Sequence, residues 1–144
     1  MPKLLKSLEK SWKKQDIETF LENVRTLETD LARLKKFTER MREIYQQLGD
    51  DLKVLEKALK NKRLKQYVKE VMGKPKLRSL EKAVKYLKEM KFDKVAAVLT
   101  DLALEKKAPT ALKQLKEKAE RVAEAHATLE KLGAEVDKII KNWW

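Results

Sequence analysis

Three glycines and three prolines are all that interrupt this chain of 144 residues, and that scarcity constrains the fold more than any motif does. Gly and Pro are the residues that break helices and shape turns. The chain therefore has few places to change direction and must fold as a small number of long elements. Gly49, Gly73, Pro75 and Pro109 fall between stretches whose apolar residues recur at alternating three- and four-residue intervals. That period marks one face of an α-helix. No segment alternates apolar with polar residues as a half-buried strand does, so the expected class is all-α.

Residues 2–14 set Leu4, Leu5, Leu8 and Trp12 at helical spacing among Lys3, Lys6, Lys10, Lys13 and Lys14, with Pro2 suited to a first turn. Residues 1–15 read as a basic amphipathic arm. Asp16 is placed to cap a long helix over 16–48, whose seam is Phe20, Val24, Leu27, Leu31, Leu34, Met41, Tyr45 and Leu48. Gly49-Asp50-Asp51 reads as a stop and restart, the Gly ending one helix and an Asp capping the next. A third helix then carries Leu52, Leu55, Leu59, Leu64, Val68, Val71 and Met72, weakens at Asn61, and ends at Gly73-Lys74-Pro75. Leu77, Leu80, Val84, Leu87 and Met90 share one face of a fourth. Phe92-Asp93 marks a turn before a fifth with Val95, Leu99 and Leu102.

Ala108-Pro109-Thr110 precedes a second long helix over 110–143, with Leu112, Leu115, Ala119, Val122, Leu129, Leu132, Val136, Ile140 and Trp143 turned inward. The turn from Met90 to Val95 resembles the one inside a tetratricopeptide unit, but the chain lacks the repeat period of such arrays. A tight helical hairpin with an aromatic plug is the expectation there. The predicted architecture is one domain over 1–144. It is an elongated antiparallel helical bundle in which 16–48 and 110–143 form the spine and 50–107 the shorter, basic middle helices.

Little in the chain points to catalysis. Cysteine is absent, which excludes disulfides, a thiolate nucleophile and Cys-based metal sites. The single histidine, His126, sits on the apolar seam of the last helix, where Ala123 and Leu129 lie three residues away on either side and no His-x-x-x-His or Glu-x-x-His spacing occurs, so it reads as a packing residue. Three scattered glycines do not make a phosphate loop. No catalytic, metal or cofactor residue is assigned, and the expectation is a protein that is not an enzyme. The longest apolar run, Val95 to Leu99, is far shorter than the roughly 20 residues of a membrane-spanning helix. No apolar stretch follows Lys3 and Lys6 as in a secretory signal. An intracellular location is the expectation.

The charge gives a better lead. The chain carries a net +12, and counting along it puts +4 on residues 1–15 and +8 on 50–107, while 16–49 and 108–144 together sum to zero. Lys62, Lys65 and Lys69 share one face of the third helix, with Arg63 beside them. Arg78, Lys82 and Lys85 share the outer face of the fourth, and Lys74-Pro75-Lys76 joins the two. A continuous positive patch is expected. Lys far outnumbers Arg, and only Tyr67 and Tyr86 lie nearby as aromatics, which argues against reading of bases. The arm offers a second surface, where Leu4, Leu8 and Trp12 either meet a partner or pack on the bundle. Packing is the expectation, and Trp143-Trp144 would close the bundle base, with Trp12 as a candidate neighbour.

The Lys- and Glu-rich heptads such as Leu27 to Leu34, the cysteine-free chain and the basic stretch Lys60-Asn61-Lys62-Arg63-Leu64-Lys65 together resemble the small all-helical proteins of viruses of hyperthermophilic archaea. That group includes helical virion proteins and a helical inhibitor of host RNA polymerase. The resemblance implies binding to RNA polymerase near its nucleic-acid channel, with repression of transcription in the host cytoplasm, or alternatively a structural role in the virion. The partner expected from charge and resemblance together is an acidic protein surface. Direct contact with nucleic acid would be through phosphates and independent of sequence. The sequence leaves the oligomeric state open.

Overall fold

A computed structural model describes residues 3–144, so the role expected of Pro2 lies outside the described residues. The chain forms α1 (Leu4–Lys13), α2 (Ile17–Leu59), α3 (Lys62–Tyr67) continued by a π-helical turn (Val68–Met72), α4 (Lys74–Lys88), α5 (Phe92–Ala103) and α6 (Thr110–Trp143). No strand occurs among the described residues, and the class is all-α. No helix is long and apolar enough to cross a membrane among those residues.

Local chemistry sets most of the boundaries. Gln15 turns the chain with a left-handed φ of 56°. Asp16 then caps α2, accepting from the Thr19 N–H at 3.3 Å and from its hydroxyl at 2.8 Å. Asn61, the expected weak point of one continuous helix, is a boundary between two helices. Its Oδ1 accepts from the N–H groups of Arg63 (2.9 Å) and Leu64 (3.3 Å) and so starts α3. Gly73, at φ 100°, adopts a backbone that L side chains rarely take, and Pro75 follows in the first turn of α4.

The stop expected at Gly49 does not occur, because α2 runs through it to Leu59. Leu48, Asp51, Leu55 and Leu59 are all buried and lie along one face of that continuous helix. A mid-helix Gly costs about 1 kcal/mol, whereas each fully buried Leu returns about 1.5–3 kcal/mol. Burial wins, and the helix stays intact. Nor does Asp51 cap anything. Its carboxylate is largely buried and meets Lys118 Nζ at 3.5 Å and Arg121 Nη2 at 3.6 Å, both on α6.

The chain packs as two compact units, Met1–Ile44 with Leu129–Trp144, and Tyr45–Thr128. The second unit holds most of the core, including Leu55, Leu59, Val68, Leu80, Leu99 and Leu112, all at 0% exposure. In it α4 and α5 form the expected hairpin. Phe92 is its buried aromatic plug, meeting the His126 ring edge-on with centroids 5.1 Å apart. His126 is thus half-buried in helix packing, as its place on the seam implied.

The first unit is tied by polar contacts around a smaller core. Lys3 Nζ donates to the Lys141 carbonyl at 2.9 Å, Asn23 Nδ2 to Ser7 Oγ at 2.8 Å, and Trp143 Nε1 to Asp30 Oδ2 at 3.0 Å. Ser11, Leu129 and Ile139 are its buried residues. Parts of the expected seams turn outward. Leu31 is exposed, and Ile139 rather than Ile140 is buried. In the second unit Tyr45 is 66% exposed. A strict heptad drifts about 20° per repeat relative to a straight helix, so the inward position passes from one residue to its neighbour along so long an element.

Candidate interaction surfaces

The nine cations expected to form a patch all belong to the unit Tyr45–Thr128, and the structure sorts them into separate groups. Val68 is fully buried, which fixes the rotation of α3 and the π-helical turn. Lys62, Lys65 and Lys69 then fall together on one flank, within about 60° of one another at 100° per residue. Lys62 and Lys69 are exposed and Lys65 half-buried. On α4, Leu80 and Ala83 point into the core at 0% exposure, and Arg78, Lys82 and Lys85 stand exposed on the opposite face. Lys74 is exposed at the first turn of the same helix. None of these seven makes an ion pair within 4 Å among the described residues.

Two of the nine do not join them. Lys76 is turned toward the loop that follows α5, and its Nζ lies 2.7 Å from Glu105 Oε1, so its charge is already matched. Arg63 projects from the other flank of α3, beside Tyr67, and lines a groove shared with α2 and α6. Seven cations without an ion pair within 4 Å among the described residues thus remain, three on α3 and its π-helical turn and four on α4, and α4 contacts that turn.

Lys60, part of the basic stretch singled out in the sequence, is also compensated. Its Nζ is 2.9 Å from Glu56 Oε1, and that hydrogen bond and charge hold the Glu56 carboxyl below the usual carboxylate range.

In the other unit the arm packs on its own protein. Leu4 and Leu8 are half-buried, Ser11 is buried, and only Trp12 of the three arm residues stands exposed, at 70%. Trp12 leans on Phe20, with ring centroids 5.4 Å apart and planes at 48°, rather than on the terminal tryptophans. Trp143 reaches Asp30, and Trp144 is exposed. Among the described residues no three His, Asp or Glu side chains come together in a group able to hold a metal ion.

The groove that Arg63 lines has a volume of about 530 Å³ and was not foreseen in the sequence. Val54 and Ala58 of α2, Leu64 and Tyr67 of α3, and Ala111 and Leu115 of α6 form its walls. The Tyr67 hydroxyl donates to the Lys107 carbonyl at 3.2 Å, which fixes the ring at the groove edge. The available signal was Val54, an apolar residue off the Leu52-Leu55-Leu59 face with lysines at 53 and 57 on either side of it. Comparison of the chain with protein-family models, curated proteins and solved structures finds no match.

Proposed function

We propose that this protein is a non-enzymatic regulator that lays the α3 and α4 cations on an acidic surface of nucleic-acid machinery and inhibits it, with RNA polymerase as the concrete target. The observation that carries this reading is the group Lys62, Lys65, Lys69, Lys74, Arg78, Lys82 and Lys85. These side chains lie on α4 and on α3 with its π-helical turn, in one unit, and none makes an ion pair within 4 Å among the described residues. Cations left unmatched by their own fold are free to be matched by a partner, and a surface of one sign speeds encounter with an opposite one. Six of the seven are Lys, compact point charges rather than planar guanidinium groups, which suits broad charge complementarity better than readout of bases. The choice of RNA polymerase rests on the resemblance to helical viral proteins.

The test is transcription by purified RNA polymerase with increasing protein, compared with a variant in which Lys62, Lys65, Lys69, Arg78, Lys82 and Lys85 are all changed to Glu. The wild type should lower transcript yield and the variant should not. Unchanged yield at saturating wild type would remove RNA polymerase as the target. Titration with duplex and single-stranded nucleic acid at two salt concentrations separates direct phosphate contact, which weakens steeply with salt.

A structural assembly role is the second reading, favoured by the exposed apolar side chains Trp12, Ile17, Leu21 and Leu31 of α1 and α2 in the first unit. Sedimentation over a range of concentrations tests it. A strict monomer would remove it.

A further inference from the structure

We infer that the groove between α2, α3 and α6 seats an acidic amphipathic helix of a partner protein. Its walls are apolar and open to solvent, with Val54 48% and Tyr67 39% exposed. The two helices that flank it, α2 and α6, run in opposite directions over this stretch. Asp51 meets Lys118 and Arg121 at one end, and Asn61 lies with Pro109 at the other. An apolar trough between two helices, closed at one end by a third, is the shape that receives a helix through anchors at every third or fourth position.

The sign of the charge names the flanks of that helix. The charged side chains lining the groove, Arg63 and Lys118, are both cations, and no carboxylate lines it among the described residues. Lys53 and Lys57 line a cleft that shares Val54 with this groove, beside Glu56, which Lys60 already holds. Lys118 is half-buried and 3.5 Å from Asp51, so its charge is already shared with that carboxylate, which leaves Arg63 as the unmatched cation of the groove. Arg63 makes no ion pair within 4 Å among the described residues.

Other occupants fit less well. Phosphates would meet walls that are mostly apolar, with polar side chains such as Arg63 and Gln114 too few to match several charges, and a flat lipid surface does not enter a concave trough. A second copy of this chain would bring its own excess of positive charge to a positive rim. The seat deepens the reading of an acidic protein partner, yet it is built from residues other than the α3 and α4 patch and stands or falls separately.

The test is selection on the full-length chain from a display library of helical peptides about 14 residues long, roughly four turns, with randomised anchors and flanks. Enriched sequences should carry aliphatic residues at every third or fourth position and Asp or Glu along the flanks. A synthetic peptide of that kind should shift the backbone amide resonances of Val54, Ala58, Leu64, Tyr67, Ala111 and Leu115. Val54→Arg with Ala111→Arg, both at exposed positions, should weaken binding by at least about tenfold, the scale of a lost interface anchor. Arg63→Glu alone should weaken it without disturbing the fold, which guards against misfolding of the double variant. Changing Arg78, Lys82 and Lys85 to Glu should leave peptide binding in place even where it abolishes inhibition of the polymerase. Failure to enrich any peptide, enrichment of basic flanks, or binding indifferent to Val54, Ala111 and Arg63 would overturn the inference.

Discussion

Met90 holds a left-handed backbone with φ at 60° while its side chain is 63% exposed, so it bears a conformational cost without much burial to offset it. L residues other than Gly lose about 1–2 kcal/mol there, and Gly gives back part of that through its greater freedom when unfolded. Met90→Gly should therefore raise stability by about 0.5–1 kcal/mol, read as a higher urea midpoint with unchanged slope. A lower midpoint would show that the side chain packs more tightly than its exposure implies. Asp51 is the opposite case, a largely buried carboxylate between two cations. Asp51→Ala should cost about 1–2 kcal/mol, because it leaves Lys118 half-buried without its partner and opens a gap under α6. The sequence offered Asp51 as a helix cap, and its true role depends on residues nearly seventy positions away that spacing alone does not bring near.

At the scale of elements, the caps and turns were legible because their causes are local. Asp16, Gly73, Pro75 and the hairpin before Phe92 each act through neighbours within a few residues. Gly49 was misread because its local preference competes with burial of Leu48, Leu55 and Leu59, and only packing decides between them. Substitution tests that outcome by its sign. A Cβ built at Gly49 meets nothing within 4 Å, and the residue lies inside α2. Gly49→Ala should thus stabilise the protein by about 0.5–1 kcal/mol through helix propensity and lower freedom of the unfolded chain. A comparable destabilisation would mean that the helix ends there after all, since Ala is disfavoured at a left-handed terminus.

For the whole molecule, the buried residues are concentrated in the unit Tyr45–Thr128, whereas the unit holding α1 has a small core tied by side-chain hydrogen bonds. Local opening follows buried apolar contact. Amide exchange should consequently be fastest in α1 and in the part of α2 before Ile44, and slowest around Leu55, Leu80 and Leu99. Uniform protection across both units would contradict that gradient. The location of the charge was legible in the sequence, since net charge and helical spacing are both read from residues. Its division was not, because the pairing of Lys76 with Glu105 and the turn of Arg63 toward the groove depend on tertiary packing.

In the proposed function the unpaired cations of α3 and α4 meet an acidic protein. That contact is tested most directly by quantitative pull-down from source lysate with the wild type and with the variant carrying Glu at positions 62, 65, 69, 78, 82 and 85. The expected result is that acidic components of nucleic-acid machinery bind the wild type, resist nuclease treatment and are lost with the variant. A partner set that the charge reversal leaves unchanged would show that these helices carry only a solvated face.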